Sequence, residues 1–126
     1  MSFRHSIRER YGECDMQGVV FNAHYLAYVD DTIEHWFDAL LVPDLRAAFD
    51  VMLKKVTVEW TAPARYRDVV ELDIGVARWG TTSFDVVVSG RAGGRDSFTT
   101  TVVYVSVKPG THEPVPIPED VREALS

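Results

Sequence analysis

Asn22-Ala23-His24-Tyr25-Leu26-Ala27-Tyr28-Val29-Asp30-Asp31-Thr32-Ile33-Glu34-His35-Trp36-Phe37-Asp38-Ala39-Leu40-Leu41 reads as one long amphipathic helix. Tyr25, Tyr28, Val29, Thr32, Ile33, Trp36, Phe37 and Leu40 fall at i, i+3, i+4, i+7, i+8, i+11, i+12 and i+15, which places them on one stripe of a helix. Asp30, Asp31, Glu34, His35 and Asp38 fall on the other side. Asn22 suits the cap position, where a side-chain oxygen accepts from an unpaired N–H of the first turn. Pro43 marks the stop.

Downstream of this helix, from Val51 onward, the apolar period shortens to two. Val56, Val58 and Trp60 alternate with Thr57, Glu59 and Thr61, and Val70, Leu72, Ile74 and Val76 alternate with Glu71, Asp73 and Gly75. Phe84, Val86 and Val88 follow, then the run from Phe98 to Val107. Pro63, Gly80 and Ala92-Gly93-Gly94-Arg95 punctuate the runs. Four successive strands with short links predict an antiparallel meander. Upstream, Phe3 to Tyr11 alternates as a first strand, and Gly12 to Val20 reads as a loop. Near the other end, Pro114-Val115-Pro116-Ile117-Pro118 is stiff and extended, and a short helix is expected from Glu119 to Leu125.

One long helix against one antiparallel sheet is an α+β architecture. Val86, Val87 and Val88 put apolar side chains on both faces of the sheet, as do Val102, Val103 and Val105. A single helix covers only one face, and large exposed apolar patches are rare in monomers. A two-fold homodimer is therefore expected.

The chain has 126 residues, which predicts one domain over residues 1–126. Its 46% hydrophobic and 25% charged residues match soluble globular proteins, so extended disorder is not expected. A formal net charge of −6 speaks against a general nucleic-acid binder. It leaves room for an anionic ligand held by a local cluster of arginines. Cys14 is the one cysteine, which excludes an intramolecular disulfide and a Cys-pair metal site. His5, His24, His35 and His112 show no metal-ligand spacing, so no metal is expected. Met1-Ser2-Phe3-Arg4-His5 has no apolar run of a secretory signal, and no segment reaches membrane-spanning length. The expected compartment is the cytoplasm, with no membrane partner.

Asp15 lies just upstream of the long helix. A helix start offers unpaired N–H groups and a partial positive charge. A carboxylate beside such donors can attack a carbonyl, or activate water to do so, while the donors hold the oxyanion. Taken alone, such an acid is equally an ordinary turn residue that offsets the helix dipole.

Asp15-x-x-Gly18-Val19-Val20-Phe21-Asn22-Ala23-x-Tyr25-Leu26 resembles the active-site loop and helix start of hotdog-fold acyl-CoA thioesterases, closest to the 4-hydroxybenzoyl-CoA thioesterase-like group. Val58-Glu59-Trp60-Thr61-Ala62-Pro63-Ala64-Arg65-Tyr66-Arg67-Asp68 resembles that group's strand ending in Pro-Ala-Arg-Tyr-Gly-Asp, with Arg67 where the family commonly has Gly. Trp79-Gly80-Thr81-Thr82-Ser83-Phe84 resembles its turn into the next strand. The resemblance implies a curved sheet wrapped around a long central helix, a second copy joined at the sheet edge, and active sites at that interface. It implies hydrolysis of an acyl-CoA thioester to a free acid and coenzyme A. Asp15 would be nucleophile or general base, and the N–H of Asn22 or Ala23 would polarise the thioester carbonyl.

Gly18 would give the loop its conformation or let the substrate approach. Tyr25 and Trp60 are candidate walls of an apolar acyl pocket, and the resemblance adds Thr82 and Ser83 across the interface. Arg65, Arg91 and Arg95 are candidates for the phosphates of coenzyme A. No separate cofactor is implied, because coenzyme A is part of the substrate. Assembly is expected as a homodimer or as a dimer of dimers, a homotetramer. The competing reading is a non-catalytic module that binds or senses acyl-CoA, since a fold does not fix a function.

Overall fold

The computed structural model describes residues 3–8, 22–65 and 67–126, the side chains of residues 7, 8 and 22–25 excepted. The order is β1 (Phe3–Arg8), α1 (Asn22–Leu40), α2 (Pro43–Ala48), β2 (Asp50–Trp60), β3 (Val69–Trp79), β4 (Ser83–Ala92), β5 (Arg95–Val107) and α3 (Glu119–Leu125).

Helix α1 follows its sequence stripe. Tyr28, Val29, Thr32, Ile33, Trp36 and Phe37 are buried, while Asp30, Asp31, Glu34, His35 and Asp38 are exposed. The Thr32 hydroxyl donates to the Tyr28 carbonyl at 2.8 Å, so this polar member of the stripe is buried with a partner. The helix starts at Asn22 itself, one residue earlier than a cap at Asn22 would give.

Pro43 ends α1 but also opens α2, a helix the sequence reading lacked. Proline suits a first helical position, where its missing N–H has no acceptor to lose. Arg46 of α2 ties it back to α1: its guanidinium donates to Glu34 at 3.0 Å and Asp38 at 3.3 Å, and covers the Phe37 ring.

The five strands form one antiparallel sheet in the order β1-β3-β4-β5-β2. The expected four-strand meander is thus corrected to three strands, β3-β4-β5. Strand β2 pairs with β5 and not with β3, which instead takes β1 on its free side. Residues 61–68 carry the chain across, a connection longer than hairpin links of about 2–5 residues. The β4–β5 link is a tight turn between the paired residues Ala92 and Arg95. Its Gly93 and Gly94 have φ of 57° and 80°, as a two-residue turn with positive φ at both positions requires.

Three bulges set which side chains face α1. Extra residues at Lys54, Ala77 and Ser97 shift the register by one. Leu53 and Val56 therefore share a face, as do Val76 and Trp79, despite their sequence parity. The core lies between α1 and this face: Phe49, Leu72, Ile74, Phe84, Val86, Val88, Phe98, Val102 and Tyr104 meet the helix stripe. Helix α3 adds Val121 and Leu125, and the extended segment before it pairs back through Val115 N to Ser106 O and Ile117 N to Thr81 O, both 2.9 Å. The first strand is described only to Arg8, so its expected extension to Tyr11 and the loop Gly12 to Val20 lie outside the described residues.

Candidate functional site

The start of α1 supplies the first element of the site. The opening N–H groups of any α-helix have no acceptor within it, and those of Asn22 and Ala23 are among them here. Asp15 and Gly18 lie outside the described residues, as do the side chains of Asn22, Ala23 and Tyr25.

The N-terminal half of α1 borders a groove of about 230 Å³ lined by Leu26, Val29, Asp30, Ile33, Leu53, Val56 and Tyr104. Among the described residues β2 is the last strand on this side of the sheet, and on it Leu53 is 56% and Trp60 45% exposed. Trp60 ends the same strand, opposite Phe98 of β5. Six of the seven lining residues are apolar or aromatic, with Asp30 as the charged exception. The Tyr104 phenol is pushed up to about 12, first by burial and then by the negative charges of Asp30 and Glu34. At neutral pH it keeps its proton and is a donor. The sequence reading missed Leu53 and Tyr104 as lining residues, because the Lys54 bulge breaks the alternation and Tyr104 is distant in the chain.

The candidate phosphate ligands gather at one end of the sheet. The Arg95 guanidinium donates to Asp68 at 2.9 Å and to the Pro63 carbonyl at 3.4 Å. Asp68 also accepts from the Arg65 backbone N–H at 2.8 Å. Arg91 donates to the Gly94 carbonyl at 3.1 Å and lies 3.8 Å from Asp96. The Ser97 bulge fixes this end: its carbonyl accepts from Thr61 N at 2.7 Å, and its hydroxyl donates to the Ala62 carbonyl at 2.7 Å. The Arg65 backbone and the Arg95 guanidinium thus meet at Asp68, while Arg91, paired with Asp96, lies on the other face of the hairpin.

Thr82 and Ser83 sit elsewhere. The Thr82 carbonyl accepts from Ser106 N at 2.7 Å, and the Ser83 hydroxyl accepts from Arg78 at 3.1 Å. Adjacent Phe84 packs on Phe49, which packs on Phe37. Phe37 is roughly 22 Å along the helix from Asn22, at about 1.5 Å per residue. Within one chain the structure does not bring Thr82 and Ser83 to the helix start.

Among the described residues one cluster carries metal-ligating donors: His5, Asp31 and His35, between α1 and β1. Linear spacing gave no sign of it, because strand and helix contribute separately.

Compared with known proteins, residues 10–125 match the model of the thioesterase-like superfamily. A curated relative from Shigella flexneri, Acyl-CoA thioester hydrolase YbgC, is 33% identical over 86 residues, covering 64% of this chain and 63% of that protein. The match therefore spans less than two thirds of that relative's length. The structure of a predicted thioesterase from Bacillus stearothermophilus aligns at a TM-score of 0.86 and 25% identity, over 99% of this chain and 94% of that one. A thioesterase superfamily structure from Jannaschia sp. CCS1 aligns at a TM-score of 0.90 and 19% identity, over 98% and 90%. These likenesses, with the five-stranded antiparallel sheet and its long helix, establish the hotdog fold.

Proposed function

The chain belongs to the thioesterase-like superfamily, and from that premise we propose that it hydrolyses an acyl-CoA thioester to a free acid and coenzyme A. The observation that carries the reading is the start of α1 beside an apolar groove, with residues 10–125 matching the family. The groove takes the acyl group, and the helix start takes the thioester carbonyl oxygen. Donors aimed at a developing oxyanion are worth a few kcal/mol in hydrolases.

Asp15 acts in one of two ways. As nucleophile, its carboxylate oxygen bonds to the carbonyl carbon, the C–S bond breaks, and the coenzyme A thiolate leaves and takes up a proton. Water then cleaves the mixed anhydride. As general base, Asp15 takes a proton from water as that water attacks, and the tetrahedral intermediate expels the same thiolate. Both routes consume one water and release one acid and one thiol. Gly18 shapes the approach, Tyr25 and Trp60 wall the acyl site, and Arg65, Arg91 and Arg95, all at one end of the sheet, meet the coenzyme A phosphates.

The functional unit is a homodimer joined at the β2 edges. Among the described residues no strand pairs with the outer edge of β2, where Leu53, Val56 and Trp60 are exposed beside Leu26, and such an edge is a template for pairing. A second copy also offers a route for Thr82 and Ser83 to reach a helix start. Half-buried Val87, Val103 and Val105 on the other sheet face suit a further pairing into a dimer of dimers. With a single cysteine, Cys14, the enzyme works in the reducing cytoplasm.

Release of free thiol from a panel of aliphatic and aromatic acyl-CoAs tests the reading. Turnover of at least one member is expected. Saturable binding of the panel with no thiol release would replace it with the acyl-CoA-sensing module.

A further inference from the structure

We propose that His5, Asp31 and His35 form a binding site for a divalent transition-metal ion, Zn²⁺ foremost, that clamps β1 to α1. His5 Nε2 lies 2.8 Å from Asp31 Oδ2, and His35 Nδ1 lies 3.6 Å from Asp31 Oδ1. One donor atom from each of the three residues lies within 4.8 Å of the other two. The two imidazoles stack with centroids 4.3 Å apart and planes inclined by 26°. Ligand atoms around a tetrahedral zinc, at about 2.0–2.1 Å from the metal, sit roughly 3.3–3.4 Å from one another. His35 Nδ1 also lies 2.8 Å from the Asp31 carbonyl oxygen, so closure needs side-chain adjustment and the release of that nitrogen from the carbonyl. Asp31 and His35 can make it: they are one helical turn apart on α1 and 49% and 54% exposed. His5, at 19% exposure, is the fixed member, held on β1 opposite Leu72.

The donor set selects the ion. Two imidazoles and a carboxylate suit Zn²⁺, Co²⁺ or Ni²⁺, whereas Mg²⁺ and Ca²⁺ take oxygen ligands. Three protein ligands leave a position open for water. Neighbouring Glu34 and Asp38 are engaged by Arg46, so Asp31 is the carboxylate presented here. The site lies at the β1 edge, across the sheet from the groove beside β2, and does not depend on the hydrolase reading.

The test is calorimetric titration of the metal-stripped, tag-free full chain with ZnCl₂, and thermal unfolding with Zn²⁺ or Mg²⁺. One Zn²⁺ per chain is expected, with a rise in Tm that Mg²⁺ does not reproduce. His35→Ala and His5→Gln, each checked for folding by circular dichroism, should weaken Zn²⁺ at least about tenfold. His112→Ala should leave it unchanged. An absence of saturable Zn²⁺ binding, or affinity unaltered in folded His35→Ala and His5→Gln, would overturn the site.

Discussion

Arg67 has φ of 70°, a left-handed backbone in which Cβ crowds the next carbonyl. Glycine has no such crowding, which accounts physically for the glycine that the resembling motif commonly carries there. Non-glycine residues pay about 1–2 kcal/mol in this region, and β-branched ones more. Arg67→Gly should hold or raise the urea midpoint, and Arg67→Val should lower it, with a loss of about 1 kcal/mol or more in unfolding free energy. A lower midpoint for the glycine variant than for the valine variant would contradict this. Tyr104 makes a pH prediction at the same scale. Its phenol is raised to about 12 in the fold, against about 10 in an unfolded chain. Above pH 10 the unfolded chain sheds its proton first. The stability linked to this group is therefore complete below about pH 10 and lost as pH climbs toward 12. Tyr104→Phe should flatten the alkaline fall in urea midpoint between about pH 9 and pH 11, and an unchanged slope would count against the burial.

At the scale of elements, the β4–β5 hairpin depends on a missing side chain. A Cβ built on Gly90 would stand 2.1 Å from the ring of its cross-strand partner Phe98, itself buried. Gly90→Ala must displace that ring, and overpacking of this kind costs about 1–3 kcal/mol. Chemical denaturation of Gly90→Ala reads the loss directly, and wild-type stability would show that the ring is not tightly held. The same elements show what the sequence could say. Helix α1 was legible because its stripe buries Tyr28, Val29, Ile33, Trp36 and Phe37 on one side, and a helical period encodes a face. Strands were legible by the same logic at period two. Their neighbours were not, since alternation specifies a face but no partner, and so β2 was set beside β3. The bulge at Lys54 hides Leu53 by reversing phase, and α2 is too short to show a period. Of the candidate site, the Gly93-Gly94 turn between Arg91 and Arg95 was legible, whereas their placement on opposite faces of the hairpin was not. The Tyr104 wall and the His5–Asp31–His35 cluster could not be read, because each joins segments far apart in the chain.

At the scale of the whole molecule, the β2 edge, which no described strand pairs, and its exposed Leu53, Val56 and Trp60 are the surface proposed to meet a second copy. Sedimentation equilibrium should give a dimer or a multiple of it. Val56→Asp, on that edge, should shift the mass toward the monomer and reduce thiol release with it. A monomeric wild type with full hydrolase activity would contradict the shared site. The central claim is that the acid ahead of α1 and the start of that helix act on one thioester, and Asp15→Asn tests it most directly. With the best acyl-CoA of the panel, single-turnover thiol release should fall by at least about a hundredfold, while acyl-CoA affinity and the unfolding midpoint stay near wild type. Thiol release at the wild-type rate in Asp15→Asn would contradict it.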